Sequence, residues 1–337
     1  MNRLLLLVLT FCLFSCSQES SKLKFQDEGN IYIRVKIAGK EYPFLFDTGA
    51  STTIFSHKLI EELGEHAKPI GNDSIVPLTI AKKDNQIISY KPYDQLSMSI
   101  GNVAIEASFV STPDETDNIL GMNALSQLHW WFDFQDTTFT VSKKTIHFSP
   151  KDMDCLELTY LTNQGATAVP IHFNDSVCRF FIFDSGWGIS KPEIKNSDKE
   201  LNLFELQINT MMDDPQGVLD KFGNIGGRNF VGSTPNGDKL MIFPHLKIEN
   251  IPMDFVTARF TQHPAFEKEE TAGLCGLLSY AFIRGRFSHL IIDPNSRKLR
   301  LYSNRMEHIE HTTYVKQFYE QEMKKFFQKL GIPYSEE

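Results

Sequence analysis

Two short stretches of this chain place an acid where an acid is costly. Residues 181–186 read Phe-Ile-Phe-Asp-Ser-Gly, and residues 44–49 read Phe-Leu-Phe-Asp-Thr-Gly. An Asp at the end of an apolar strand is unfavourable unless it is hydrogen-bonded or does chemistry. Asp47 and Asp184 share one setting, so each is a candidate partner for the other. Two carboxyls about 3 Å apart cannot both ionise easily, so one keeps a proton while the other does not. Such a pair can take a proton from water and give one to a carbonyl oxygen, with neither a metal nor a covalent intermediate. The pair titrates as a unit, and no fixed role attaches to either Asp. Gly49 and Gly186 allow a tight turn and close backbone approach, and their amides can bond an Asp oxygen.

The elements around the two motifs repeat as well. Residues 31–46, IYIRVKIAGKEYPFLF, predict two strands around Ala38-Gly39-Lys40, and residues 168–183, AVPIHFNDSVCRFFIF, predict two around Asn174-Asp175. Downstream, Asn118-Ile119-Leu120-Gly121 opens a short helical stretch, and Gly273-Leu274-Cys275-Gly276 opens another. Each leads into a hairpin, WWFDFQDTTFTV and HLIIDPNSRKLRLY, with Asp133 and Asp293 just after an apolar strand. An internal repeat accounts for all of these parallels.

The order FLFDTGAS, YDQLSMSIGN, NILGMNAL resembles a retroviral-type aspartic peptidase protomer, and the second half resembles another copy fused behind it, as in two-lobed pepsin-like enzymes. The resemblance covers roughly residues 28–303 and is closer in the first half. Aspartic peptidases are the standing illustration of one proton shared by two carboxyls. The resemblance implies an all-β fold of two retropepsin-like β-barrel lobes in one chain, the double-psi aspartic protease fold, with a C-terminal helix. It implies an aspartic endopeptidase acting on peptides or proteins, with Asp47 and Asp184 as the catalytic dyad and no cofactor or metal. It also implies that Thr48 and Ser185 bond the backbone of the opposing loop and, with Gly49 and Gly186, support the dyad. Both half-sites lie in one chain, which points to a monomer.

The second motif departs from the family at Trp187, where the first has Ala50. The indole either walls the cleft and shapes a subsite, or desolvates Asp184 and raises its pKa, or packs between the lobes. Two hairpins are candidate flaps, one with its tip near Lys82–Asn85 and one around Gly226-Gly227. The lysine tip reads first as a solvated turn, and the glycine pair reads as a mobile tip or a plain connection. His57, His66, His129, His147, His172 and His245 show no ligand spacing and read as satisfied or surface histidines. Residues 311–331 place Tyr314, Phe318, Met323 and Phe327 near helical spacing, as a helix that docks on the body or on a partner.

The chain has 337 residues, 41% hydrophobic and 23% charged, with 34 basic against 42 acidic residues for a net charge of -8. That suits globular lobes and argues against nucleic acid as a partner. Residues 1–16, MNRLLLLVLTFCLFSC, form a signal segment too short to span a bilayer. Leu13-Phe14-Ser15-Cys16 resembles a bacterial lipobox, which implies lipidation of Cys16 and an envelope lipoprotein anchored in a membrane. An ordinary secretory signal is the other reading. The remaining Cys155, Cys178 and Cys275 have no metal or redox spacing and read as buried thiols or one disulfide.

The expected organisation is a signal peptide over 1–16, a tether over 17–27, lobes over 28–150 and 151–303, and a helical tail over 304–337. Two other functions fit parts of the sequence. One is a catalytically inactive binding module on the same fold, favoured by the DSGWG departure. The other is a structural lipoprotein docking through its tail.

Overall fold

Strict alternation, as in Ile31 to Ile37, gives a strand with one apolar face, and Ile31, Ile33, Val35 and Ile37 are all buried. The computed structural model describes residues 20–71, 76–79, 87–113, 116–163, 166–173, 177–187, 205–209, 230–233, 239–249, 251–261 and 274–303. Residues 1–16 with Cys16, both flap tips and the tail over 304–337 lie outside them.

The first half contains β1 (Ser20–Lys24), β2 (Gln26–Asp27), β3 (Ile31–Ile37), β4 (Lys40–Phe46), β5 (Thr53–Ile54), helix α1 (His57–Leu63), β6 (Val76–Thr79), β7 (Ile87–Ile100), β8 (Val103–Ser111), β9 (Ile119–Leu120), helix α2 (Met122–Leu125), β10 (His129–Asp133) and β11 (Thr138–Ser142). The second contains β12 (Asp154–Thr159), β13 (Leu161–Asn163), β14 (Ala166–Phe173), β15 (Val177–Phe183), β16 (Leu206–Asn209), β17 (Phe230–Ser233), β18 (Lys239–Ile248), β19 (Ile251–Thr261), β20 (Leu274–Leu278), helix α3 (Tyr280–Arg286), β21 (His289–Asp293) and β22 (Lys298–Ser303).

Each half folds one eight-stranded sheet, and the two sheets have the same strand order. The first runs β2-β3-β4-β9-β5-β8-β7-β6 and the second β13-β14-β15-β20-β16-β19-β18-β17. Even the extra contacts match, β3 with β7 and β14 with β18. The internal repeat is therefore present strand for strand. A third sheet, β1-β11-β10-β21-β22-β12, takes hairpins from both halves. Its central pair, β10 with β21, sets Trp130 opposite Ile292 and Phe132 opposite Leu290. Most of the buried apolar side chains of both lobes and of this shared sheet form one continuous core. Phe46, just before Asp47, packs edge-on against Trp130 at 4.9 Å and Phe132 at 4.8 Å. The strand that carries the acid is thereby seated on the shared sheet.

Three expectations need correction. Residues 20–27, read as part of a tether, form β1 along the edge of the shared sheet and β2 at the edge of the first lobe. The reason is Phe25, whose buried ring meets Phe132 at 5.7 Å and Phe134 at 6.0 Å. Cys155 and Cys178 are exposed rather than buried, only Cys275 is in the core, and none of the three forms a disulfide.

The third concerns the repeat. Phe46 pairs with Leu120 and Phe183 with Leu278, so the counterpart of Gly121 is Ser279 and not Gly276. Both residues cap the helix that follows, α2 and α3. Gly276 is required for another reason: a Cβ there would collide with the Gln207 carbonyl of β16.

Candidate active site

The site is built by two strand ends. In β4, Phe44 and Phe46 point into the core, so strand alternation turns Leu45 and Asp47 to the other face. The Asp47 amide donates to the Leu120 carbonyl at 3.2 Å, and the Asp184 amide to that of Leu278 at 2.9 Å. Each Asp is thus fixed by the short strand that runs parallel beside it. The loop beyond is tied to the helix cap in both halves. Met122 donates to the Ala50 carbonyl at 2.8 Å, and Tyr280 to the Trp187 carbonyl at 3.0 Å.

The two half-buried acids face each other, each carboxyl set against the glycine of the opposing loop. Each also accepts two amides of its own loop. Asp47 Oδ1 accepts from Gly49 at 2.8 Å and Ala50 at 2.9 Å, and Asp184 Oδ1 accepts from Gly186 and Trp187, both at 2.9 Å. The glycines are needed for space. A Cβ on Gly49 would lie 2.5 Å from the Asp184 carboxyl carbon, and one on Gly186 would lie closer still to that of Asp47. Each loop therefore leaves room for the acid of the other.

Beneath the acids, Thr48 and Ser185 are buried and cross-bonded. The Thr48 hydroxyl donates to the Phe183 carbonyl at 2.5 Å, and the Ser185 hydroxyl donates to the Phe46 carbonyl at 2.8 Å. In return, the Ser185 amide donates to Thr48 Oγ1 at 3.0 Å and the Thr48 amide to Ser185 Oγ at 3.1 Å. Both hydroxyl protons go to carbonyls, so the 3.2 Å approach of the two oxygens is a contact and not a further bond. Four bonds between the loops fix the positions of the two acids.

Burial holds the Asp47 carboxyl above the usual carboxylate range, against the pull of its two loop amides. Asp184 is raised well above that range, first by burial and then by the nearby Asp47 charge. One carboxyl thus keeps its proton beside a charged neighbour.

Trp187 differs from Ala50 in side chain alone, since its amide and carbonyl make the same two bonds. Its half-buried indole packs on its own lobe, against Ala168, Leu274 and Leu277 with Ile182 alongside. Of the three readings of Trp187, packing between the lobes is not what these contacts describe.

Sequence reasoning missed the supports behind each loop. In the first lobe, Asn123 Oδ1 accepts from the Thr53 amide at 2.9 Å and the Thr53 hydroxyl at 2.7 Å. In the second, a fully buried ion pair takes over. Arg286 Nη2 donates to Glu205 Oε2 at 2.9 Å, Arg286 Nε donates to Glu205 Oε1, and Thr257 N donates to Glu205 Oε2 at 2.9 Å. The Glu205 carbonyl accepts from Ser279, the cap of α3. Nothing in the spacing of Glu205 and Arg286 signals the pair. Among the described residues, no group of three or more His, Cys, Asp or Glu side chains is placed to hold a metal ion.

Residues 33–127 match the family model described as "gag-polyprotein putative aspartyl protease". No curated protein sequence matches the chain. Among solved structures, an aspartic proteinase from Irpex lacteus is similar in fold, with a TM-score of 0.53 at 12% identity over 86% of this chain and 98% of that one. The family-model match thus covers the first lobe, and the two-lobed all-β fold of the chain is that of an aspartic proteinase.

Proposed function

We propose that the protein is an aspartic-type endopeptidase that hydrolyses peptide bonds with a water activated between Asp47 and Asp184. The observation that carries this reading is the facing carboxyl pair, with each Oδ1 held by two amides of its own loop. In the cycle, the charged carboxyl takes a proton from water as the water attacks the peptide carbonyl. The protonated carboxyl gives its proton to the carbonyl oxygen, and the pair then returns a proton to the leaving amine. Both carboxyls are held above the usual range, so the pair keeps one proton between them and no fixed role attaches to either acid. Thr48 and Ser185 act as positioning residues, since their hydroxyls reach backbone and not the acids.

The test is cleavage of a diverse peptide mixture, read by mass spectrometry from about pH 3 to about pH 8. The protein lacking residues 1–16 runs beside Asp47→Asn and Asp184→Asn. Cleavage lost in both variants supports the dyad. A folded protein that binds peptides and cleaves none points to the binding module instead. The bond pattern of Trp187 speaks against that alternative, because it holds Asp184 as Ala50 holds Asp47.

We also propose that Cys16 carries the lipid that anchors a monomeric enzyme in a bacterial envelope. The support is Leu13-Phe14-Ser15-Cys16 behind an apolar segment. Release of Cys16→Ser from membranes, with wild type retained, is the expected result.

A further inference from the structure

The two lobes exchange a large and a small residue on the face that bears the dyad. Opposite Leu45 in the first lobe stands Tyr32, and the motif loop carries Ala50. Opposite Ile182 in the second stands Ala168, and the loop carries Trp187. Leu45 and Ile182 each lie two residues before their Asp, so these positions correspond. The indole packs against the cluster of Ala168, Leu274 and Leu277. Leu277 is 6% exposed. Its counterpart Ile119 packs against Ile54, Tyr90 and Val110 and stays half-exposed. Leu45 is buried and Ile182 half-exposed, so among the described residues the difference between the two sides lies in the loops, where Asp184 has the indole beside it and Asp47 only the Ala50 methyl.

We infer that Trp187 is a specificity-determining residue that fills the side-chain pocket on the second lobe's side of the dyad. This rests on the peptidase reading and gives it a substrate class. The peptides accepted carry a large apolar residue on the flank of the scissile bond that meets Ala50, and a small one on the flank that meets Trp187. A pocket already filled by a rigid ring rejects a bulky side chain sterically, whereas a loop that carries only a methyl leaves room to bury one.

The experiment measures binding, so it does not depend on turnover. The probes are peptides with a hydroxyethylene isostere in place of the scissile bond, with the side chain on either side of the isostere varied from that of Ala to that of Phe, titrated by calorimetry into wild type, Trp187→Ala and Trp187→Phe. Wild type is expected to reject Phe by at least about tenfold on one flank only, with Phe preferred on the other. Trp187→Ala collapses that ratio toward one, and Trp187→Phe falls between. Thermal melts identify any variant that has not folded, and the Phe variant keeps the comparison if the Ala variant fails. Equal tolerance on both flanks in wild type, or a ratio unmoved in the folded variants, overturns the inference. Binding with the expected asymmetry but no cleavage of matching peptides leaves it standing and overturns the peptidase reading alone. Binding of no probe by folded wild type overturns both.

Discussion

His129 of the first lobe lies 3.2 Å from Asp293 of the second, and both side chains are buried. The repeat supplies the mirror contact, His289 Nε2 to Asp133 Oδ2 at 3.7 Å. Both acids cap a turn in the same way: Asp133 accepts from Gln135 and Asp136, and Asp293 from Asn295 and Ser296. His129 also accepts from the Asn295 side-chain amide at Nε2, 3.1 Å away, which leaves its proton on Nδ1, close to Asp293 Oδ1 without a hydrogen bond to it. The seam between the lobes therefore joins a neutral imidazole to a carboxylate.

That seam has a pH dependence of known sign. Burial holds His129 below its ordinary 6.5, although Asp293 pulls the other way. Burial also works against the Asp293 charge, yet the bonds from Ser296 and Asn295 and the nearby His129 keep that carboxyl below its usual value. Below 6.5 the unfolded chain binds the proton on His129 before the folded chain does. The contribution of neutral His129 is thus present above 6.5 and is lost as pH falls through the depressed folded value. Thermal melts from pH 7.5 down to pH 5.5 are expected to fall more steeply for wild type than for His129→Gln.

The dyad works in the opposite direction. Asp184 is raised, so between its ordinary 3.8 and its folded value the folded chain binds more protons than the unfolded one. Stability from this group is full at acid pH and declines as pH rises through the folded value. Asp184→Asn removes the titration. Its melting temperature relative to wild type is expected to be higher at pH 8 than at pH 5, while its kcat/KM on a cleaved peptide falls by roughly 10²- to 10⁴-fold.

Thr48 and Ser185 each spend a hydroxyl proton on a carbonyl of the other loop. Thr48→Val or Ser185→Ala strands a buried carbonyl and a buried amide, at a cost of about 1–3 kcal/mol per group. The two lesions share one network, so the double variant is expected to lose less than the sum of the singles. Urea denaturation of the four species closes that cycle.

The ion pair behind the second loop gives a sharper contrast. Arg286→Met leaves the fully buried Glu205 charge without its partner and is expected to cost about 3–5 kcal/mol. Adding Glu205→Gln restores most of that loss, because no uncompensated charge remains. Midpoints of chemical unfolding distinguish the two variants.

Much of this site was legible in the sequence because its parts are local. Three apolar residues, an acid, a hydroxyl and a glycine fix a strand, its turn and the space beneath the opposing acid. The shift from Gly121 to Ser279 was not legible, since Gly or Ser can begin a helix there, and Gly276 is required by the β16 backbone instead. The strand at residues 20–24 was hidden because SSKLK pairs only through a hairpin more than a hundred residues away. Glu205 and Arg286 meet only through tertiary packing. The paired His129 and His289 were visible as HWWFD and HLIID, but their purpose appears only when β10 and β21 lie side by side.

A homodimer with one such motif per subunit must make every substitution twice, on both sides of its axis. Here the two motifs are separate stretches of one gene, and Ala50 and Trp187 show that they have already parted. Each half is free to drift, so the surroundings of the two acids can diverge without any change having to suit both sides at once.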